Sequence, residues 1–151
     1  MHCRNKPNDM IVKLLKPLLT LIIAGITAYT VDRGYGSMFV IVNDSSHEIE
    51  IKCDKAGDAL KIPETVTIAS GNRASFPCGC YEEGFTKPII IRVIVVFDSN
   101  ISVEHICTTK YHSICNSSEY VFEQTGKYEG TFTFAFADED YEYALSQQTV
   151  E

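Results

Sequence analysis

Cys78 and Cys80 stand one glycine apart in SFPCGCYEEG, residues 75–84. Paired thiols bind metal, exchange electrons or form bridges, and their spacing separates these chemistries. Redox oxidoreductases place two residues between their cysteines at a helix N-terminus, which lowers the thiol pKa. Here one residue intervenes and no helical pattern follows. Structural zinc sites space paired cysteines by two to four residues. A bond between such close neighbours would be strained. Side chains two apart on a strand point the same way. Each cysteine is therefore expected to bond elsewhere, and Cys53, at the end of another strand, is one natural partner.

A second cluster reads His105-x-Cys107-x4-His112-x2-Cys115. Four soft or borderline ligands this close suit zinc by type, but their spacing matches no zinc motif, and the expectation is no metal. A Cys107–Cys115 bridge closing a short loop is preferred; in the chain-entropy model it contributes roughly 2–3 kcal/mol. A cysteine–histidine dyad from Cys107 and His112 would be abolished by that bridge. No G-x-S-x-G elbow, P-loop, Rossmann glycine fingerprint or H-E-x-x-H is present. Glu82 and Glu83 are adjacent and would point apart on a strand, unlike a glycosidase pair. The reading is a non-enzymatic protein with no catalytic residues and no cofactor.

Which sulfur chemistry applies depends on the compartment. From Met10, itself a possible true start, the chain runs MIVKLLKPLLTLIIAGITAYTV. Lys13 and Lys16 precede a short apolar run, Leu18 to Ile26, and small residues follow. That is the layout of a secretory signal peptide over residues 1–30, with cleavage after Ala28 or Thr30. The run is shorter than the roughly 20 apolar residues of a membrane span; an uncleaved anchor is the alternative. Five of the six cysteines lie beyond it, and in an oxidising compartment they read as a disulfide framework with one thiol left over. The sequons at Asn43, Asn100 and Asn116 fall at predicted turns and read as glycosylation sites of a eukaryotic secreted protein.

The 151-residue chain has a formal charge of −7, and removing residues 1–28 leaves 9 basic and 19 acidic residues, a charge of −10. Such a domain repels phosphate backbones, which argues against nucleic acid, and it disfavours anionic membranes. It can steer a basic partner.

The elements that must position these residues read as strands. MFVIVN (38–43) is apolar and β-branched. EIEIKC (48–53) alternates, with Ile49, Ile51 and Cys53 inward. TVTIA (65–69) and RASFPC (73–78) flank SGN, a hairpin signal. PIIIRVIVVF (88–97) is a central strand covered on both faces. ISVEHIC (101–107), EYVFEQ (119–124) and YEGTFTFAFA (128–137) follow, with Phe132, Phe134 and Phe136 sharing a core face. The fold class is all-β, an antiparallel β-sandwich of 7–9 short strands over 38–137, stapled by disulfides. The acidic tail 138–151 is expected to be frayed or a short helix.

Three stretches carry a family likeness. In FVIVNDSSHEIEIKCDKAGDAL, an apolar strand ends in Asn43, a second ends in Cys53, and Asp58 and Leu60 follow. SGNRASFPC places Gly71 ahead of Phe76. ICTTKYHSICNSSEYVFEQTGKY supplies Cys107, Cys115 and Gly126. This order, over residues 38–128, resembles the plant self-incompatibility protein S1 family, whose members are small, secreted, disulfide-bonded β-sandwiches. The chain departs from that pattern in lacking tryptophan, in having no cysteine in IIIRVIVVF, and in its Cys78/Cys80 pair. The resemblance implies an extracellular signalling ligand or effector recognised by a protein partner, a receptor or host protein. A secreted lipid- or membrane-binding sandwich is the alternative, with an exposed aromatic patch or a cavity between the sheets as its mark. The sequence sets no oligomeric state.

Overall fold

The computed structural model describes residues 35–81 and 84–148. The expected signal segment lies outside the described residues, and so does Cys3. Among the described residues the chain forms eight strands and one helix. These are β1 (Tyr35–Asn43), β2 (Ile49–Ala56), β3 (Thr65–Ile68), β4 (Arg73–Tyr81), β5 (Ile90–Phe97), β6 (Ile101–Ile106), β7 (Val121–Gln124), β8 (Glu129–Phe136) and α1 (Asp138–Gln148). The mostly β character follows from period-two patterns rich in Ile, Val, Thr and Phe.

The strands make two four-stranded sheets, ordered β4-β1-β8-β7 and β3-β2-β5-β6. Neighbours pair antiparallel except β1 and β8, which run parallel. Alternate residues of both sheets meet in one apolar cluster that includes Phe39, Ile41, Ile49, Ile51, Val93, Val95 and the Phe132, Phe134, Phe136 stripe. Phe97 of one sheet meets Phe136 of the other edge to face, with centroids 6.4 Å apart.

Two expectations need correction. TVTIA and RASFPC do not form a hairpin: β3 pairs with β2, and β4 pairs with β1 in the other sheet. Gly71, at φ 72°, turns the chain between sheets, and its N–H donates to the Asn43 carbonyl at 2.8 Å. A turn signal fixes a reversal but not the strand's next partner. β5 is central, but its outer face is only partly covered, because Arg92 is exposed there.

The outer faces of the sheets differ. On β3-β2-β5-β6 the register brings charged residues into neighbouring rows that read Lys52, Ile94, Glu104 and Lys55, Arg92, Ile106. Arg92 pairs with Glu104 at 2.6 Å and Asp54 at 3.4 Å, and Lys52 with Glu50 at 3.0 Å. On β4-β1-β8-β7 the corresponding rows read Ser75, Val40, Thr133, Val121 and Pro77, Met38, Thr131, Glu123. Charge appears on these two rows only at Glu123, on the edge strand.

Candidate functional site

The residues with chemical potential gather in three places. The first is the turn between β1 and β2. Asn43 has the parity of Phe39 and Ile41, so it points inward and is fully buried. Its Nδ2 donates to the His47 carbonyl at 2.7 Å and the Ile68 carbonyl at 2.9 Å. Its Oδ1 accepts from the Ser45 hydroxyl at 2.6 Å. One side chain thus ties the β1–β2 crossing to the end of β3. An amide nitrogen spent on two carbonyls has no room for a sugar, so the sequon at Asn43 is not an open acceptor in the folded chain.

His47 follows. Its ring stacks on Tyr141 of α1 at 3.6 Å, and its Nδ1 meets the Asp98 carboxylate at 2.6 Å. Asp98 and Ser99 are consecutive residues in the left-handed region, φ 46° and 63°, a conformation costly without glycine. The Asp98 carboxylate offsets that cost by also accepting the Glu48 N–H at 3.0 Å. The hydrogen bond to His47 holds the Asp98 carboxyl below its ordinary value. The Ser46 N–H and hydroxyl do the same for Asp138. A histidine oriented by a carboxylate is the base half of a catalytic triad. Here the Ser46 hydroxyl is engaged by Asp138, and the Ser45 hydroxyl by Asn43 and the His47 backbone, so neither serves the His47 ring. The arrangement latches α1.

The second place holds the cysteines. Cys53, Cys78, Cys107 and Cys115 are free thiols in this structure; Cys80 falls in β4, its side chain outside the described ones. Cys53 lies opposite Val93 on β5, and Val93 opposite His105 on β6. The Cys115 thiol donates to the His105 carbonyl at 3.2 Å. Cys107, just past β6, approaches the Ile91 carbonyl at 3.7 Å. Burial pushes the Cys115 thiol up to about 12, and the nearby Cys107 and Cys53 add to the rise. Three thiols therefore share one region, with Cys107 and Cys115 unbonded. Cys78, opposite Ser37 in the other sheet, is raised by burial. It also lines a pocket of about 180 Å³ with Gly57, Leu60, Thr86, Pro88 and Ile89. Among the described residues no group of three or more His, Cys, Asp or Glu is arranged to hold a metal. His105 and His112 separate: His105 is buried with its Nδ1 unpartnered, while His112 meets Asp140 of α1 at 2.9 Å.

The third place is β7. Val121 is 70 % exposed and Phe122 41 %. Phe122 packs on Phe132 at 4.7 Å and Phe85 at 5.1 Å, and Phe85 on Tyr35 at 5.0 Å. Gly130 makes room, since a Cβ there would lie 2.6 Å from the Phe122 ring. β7 and β8 are legible as strands; this aromatic wall is not, because Tyr35, Phe85 and Phe122 lie far apart in the chain.

The remaining sequons differ in access. Asn100 is exposed in the β5–β6 turn. The Asn116 Oδ1 caps a 3-10 turn, accepting from Ser118 N–H at 3.1 Å and the Ser118 hydroxyl at 2.8 Å. No helix of the described residues is long and apolar enough to cross a membrane. Neither a scan against known protein families nor a search of characterised proteins finds a match to this chain.

Proposed function

We propose that this chain is an exported, disulfide-stapled and glycosylated β-sandwich that acts by binding, as an extracellular ligand or effector recognised by another protein. It carries out no catalysis. The observation that carries this reading is the outer face of β4-β1-β8-β7. Its central rows present Val40, Met38, Val121 and threonines to solvent with charge only at Glu123, whereas the opposite sheet's outer face is laced with ion pairs. Weakly charged, apolar surface of this kind is what recognition sites share. The likeness to the plant S1 family and the export-like N-terminus support the same reading. Oxidation outside the cytosol would join Cys107 to Cys115, the two thiols losing two protons and two electrons to the oxidant of that compartment. Asn100 is the acceptor that the fold leaves open.

Intact-mass analysis of the chain secreted from a eukaryotic host tests export. The expected result is loss of residues up to 28 or 30, at least one bridge, and glycan at Asn100 and not at Asn43. An unprocessed chain with reduced thiols would overturn it. Binding is tested with labelled chain on cells of the source organism: saturable binding, lost on Met38→Lys, supports the reading. Lipid binding draws on the same face. Co-sedimentation with phosphatidylcholine vesicles, with no saturable cell binding, would replace a protein partner by a lipid surface.

A further inference from the structure

We infer that the edge of β7, left unpaired among the described residues, is where the partner docks, and that the partner offers an extended strand with an apolar side chain opposite Val121 and a lysine or arginine opposite Glu123. This rests on the binding reading above. An edge strand turns alternate N–H and C=O groups away from its sheet, and proteins cover or blunt such edges. Two of the outer strands are visibly covered. Along β4, Leu60 bridges to Cys78 and the Lys61 N–H reaches the Pro77 carbonyl at 3.3 Å. Along β6, α1 lies against the strand, and Gln148 donates to the Ser102 carbonyl at 2.7 Å. β3 is four residues long, and its exposed residues are threonines. β7 is equally short but carries Val121 and Phe122, both exposed. A strand added there would pack its inner side chains on a ring already fixed by Phe85, Phe132 and Gly130. Strand addition takes affinity from backbone hydrogen bonds and specificity from alternate side chains.

Charge selects the occupant. Glu119, Glu123 and Glu129 lie on or beside β7, and none has a lysine or arginine within salt-bridge distance among the described residues. The nearby cations are occupied: Lys127 lies over the Tyr128 ring and Lys87 donates to the Ser117 carbonyl. A second copy fits poorly. Opposite residues of an antiparallel pair share a face, so two-fold pairing of β7 with itself keeps residue parity. Of the registers centred on β7, one sets Glu123 against the other Glu123, and like charges directly opposite are destabilising; the other sets each Glu123 against Val121 and gives it no cation.

The test titrates the full chain with a fluorescein-labelled eight-residue peptide that has valine at its odd positions and lysine and valine in turn at its even ones, so that one face offers lysine and valine two residues apart, with amide hydrogen exchange read at residues 121–124. The expected result is protection of β7 on binding, at least tenfold weaker affinity for Glu123→Lys, and loss of binding when alternate peptide residues are proline. Both chain variants, Glu123→Lys and Val121→Glu, change exposed side chains, and unchanged melting confirms their fold. Equal binding by the proline peptide, or no protection of β7, overturns strand addition. Protection in the chain alone of the β7 N–H groups that point away from β8, by its own segment or by a second copy, overturns it as well. Cell binding retained by Val121→Glu and Glu123→Lys sinks the β7 edge and leaves the binding reading standing; cell binding absent from the unaltered chain sinks that reading itself.

Discussion

β6 and β7 each end a sheet, and the chain finishes them differently. At β6 an eleven-residue helix is laid along the strand. A helix of that length is marginal alone, and this one is held from several sides. Asp140, buried, accepts the Ala137 N–H at 2.8 Å at the helix start and meets His112 at 2.9 Å. Ala144 is fully buried, Tyr143 stacks on Tyr111 at 4.1 Å, and Tyr141 stacks on His47. At β7 no described residue adds a backbone bond beyond those to β8, and what the strand has instead is a rigid aromatic wall behind it. Covering an edge takes a whole element with side chains that reach backbone; leaving one open takes only a short strand with one charge. The first is an investment in stability and the second leaves a surface for use.

The contrast presumes one core beneath both edges, and Asn43 tests that presumption most severely. Asn43→Ala would strand the Ile68 and His47 carbonyls and undo both sheet crossings. The expected loss is about 3 kcal/mol or more, read from the urea midpoint at neutral pH. A loss below about 1 kcal/mol would mean that the crossings do not depend on that amide.

Acid should then enter through β6. Burial, helped by His112, holds His105 down to about 4 from its ordinary 6.5. The unfolded chain takes up this proton at the higher pH, so the group's stabilisation is complete above 6.5 and falls as pH drops toward 4. The difference is worth about 3 kcal/mol. His105→Leu should flatten that part of the stability–pH curve. It also removes the unpartnered Nδ1, so neutral-pH stability should not fall. An unchanged slope would place the acid sensitivity elsewhere.

Much of this was legible in advance. All eight strands were located within a few residues, by period two where a strand is half-buried, as at β2 and β8, and by short β-branched apolar runs at β1 and β5. The inward parity of Asn43 was also legible, since it continues Phe39 and Ile41, but the sequon competes for the same residue and says nothing about burial. The partner of a strand was not legible: SGN reads as a hairpin turn whether the chain returns to its own sheet or crosses to the other. Nor was the hold on α1, whose tail reads only as acidic. Its partners His47, Tyr111 and His112 lie 28 to 94 residues earlier in the sequence, and only the fold brings them together.

Asp140→Ala separates the two edges. It removes the acceptor of the Ala137 N–H and the partner of His112, at a cost of about 2 kcal/mol. Because α1 packs on β6, hydrogen exchange should quicken at Ser102–Glu104 while β7 stays as it was. Equal quickening at both edges would show that the helix stabilises the whole core, not one edge.

Gly130→Ala is the converse and the smallest effect. The new Cβ would sit 2.6 Å from Cε2 and 2.8 Å from Cζ of Phe122, and 3.1 Å from Cε1 of Phe85. Both rings end flexible side chains, so the strain is relieved by moving them, at about 1–2 kcal/mol. Exchange should quicken at β7 and not at β6. The cause can be isolated by repeating the change in Phe122→Ala: with the ring gone, most of the clash is gone, and the added methyl should cost well under half as much. An equal cost in both backgrounds would mean that Gly130 serves the backbone of β8 and not the aromatic wall, and the open edge would lose the rigidity ascribed to it.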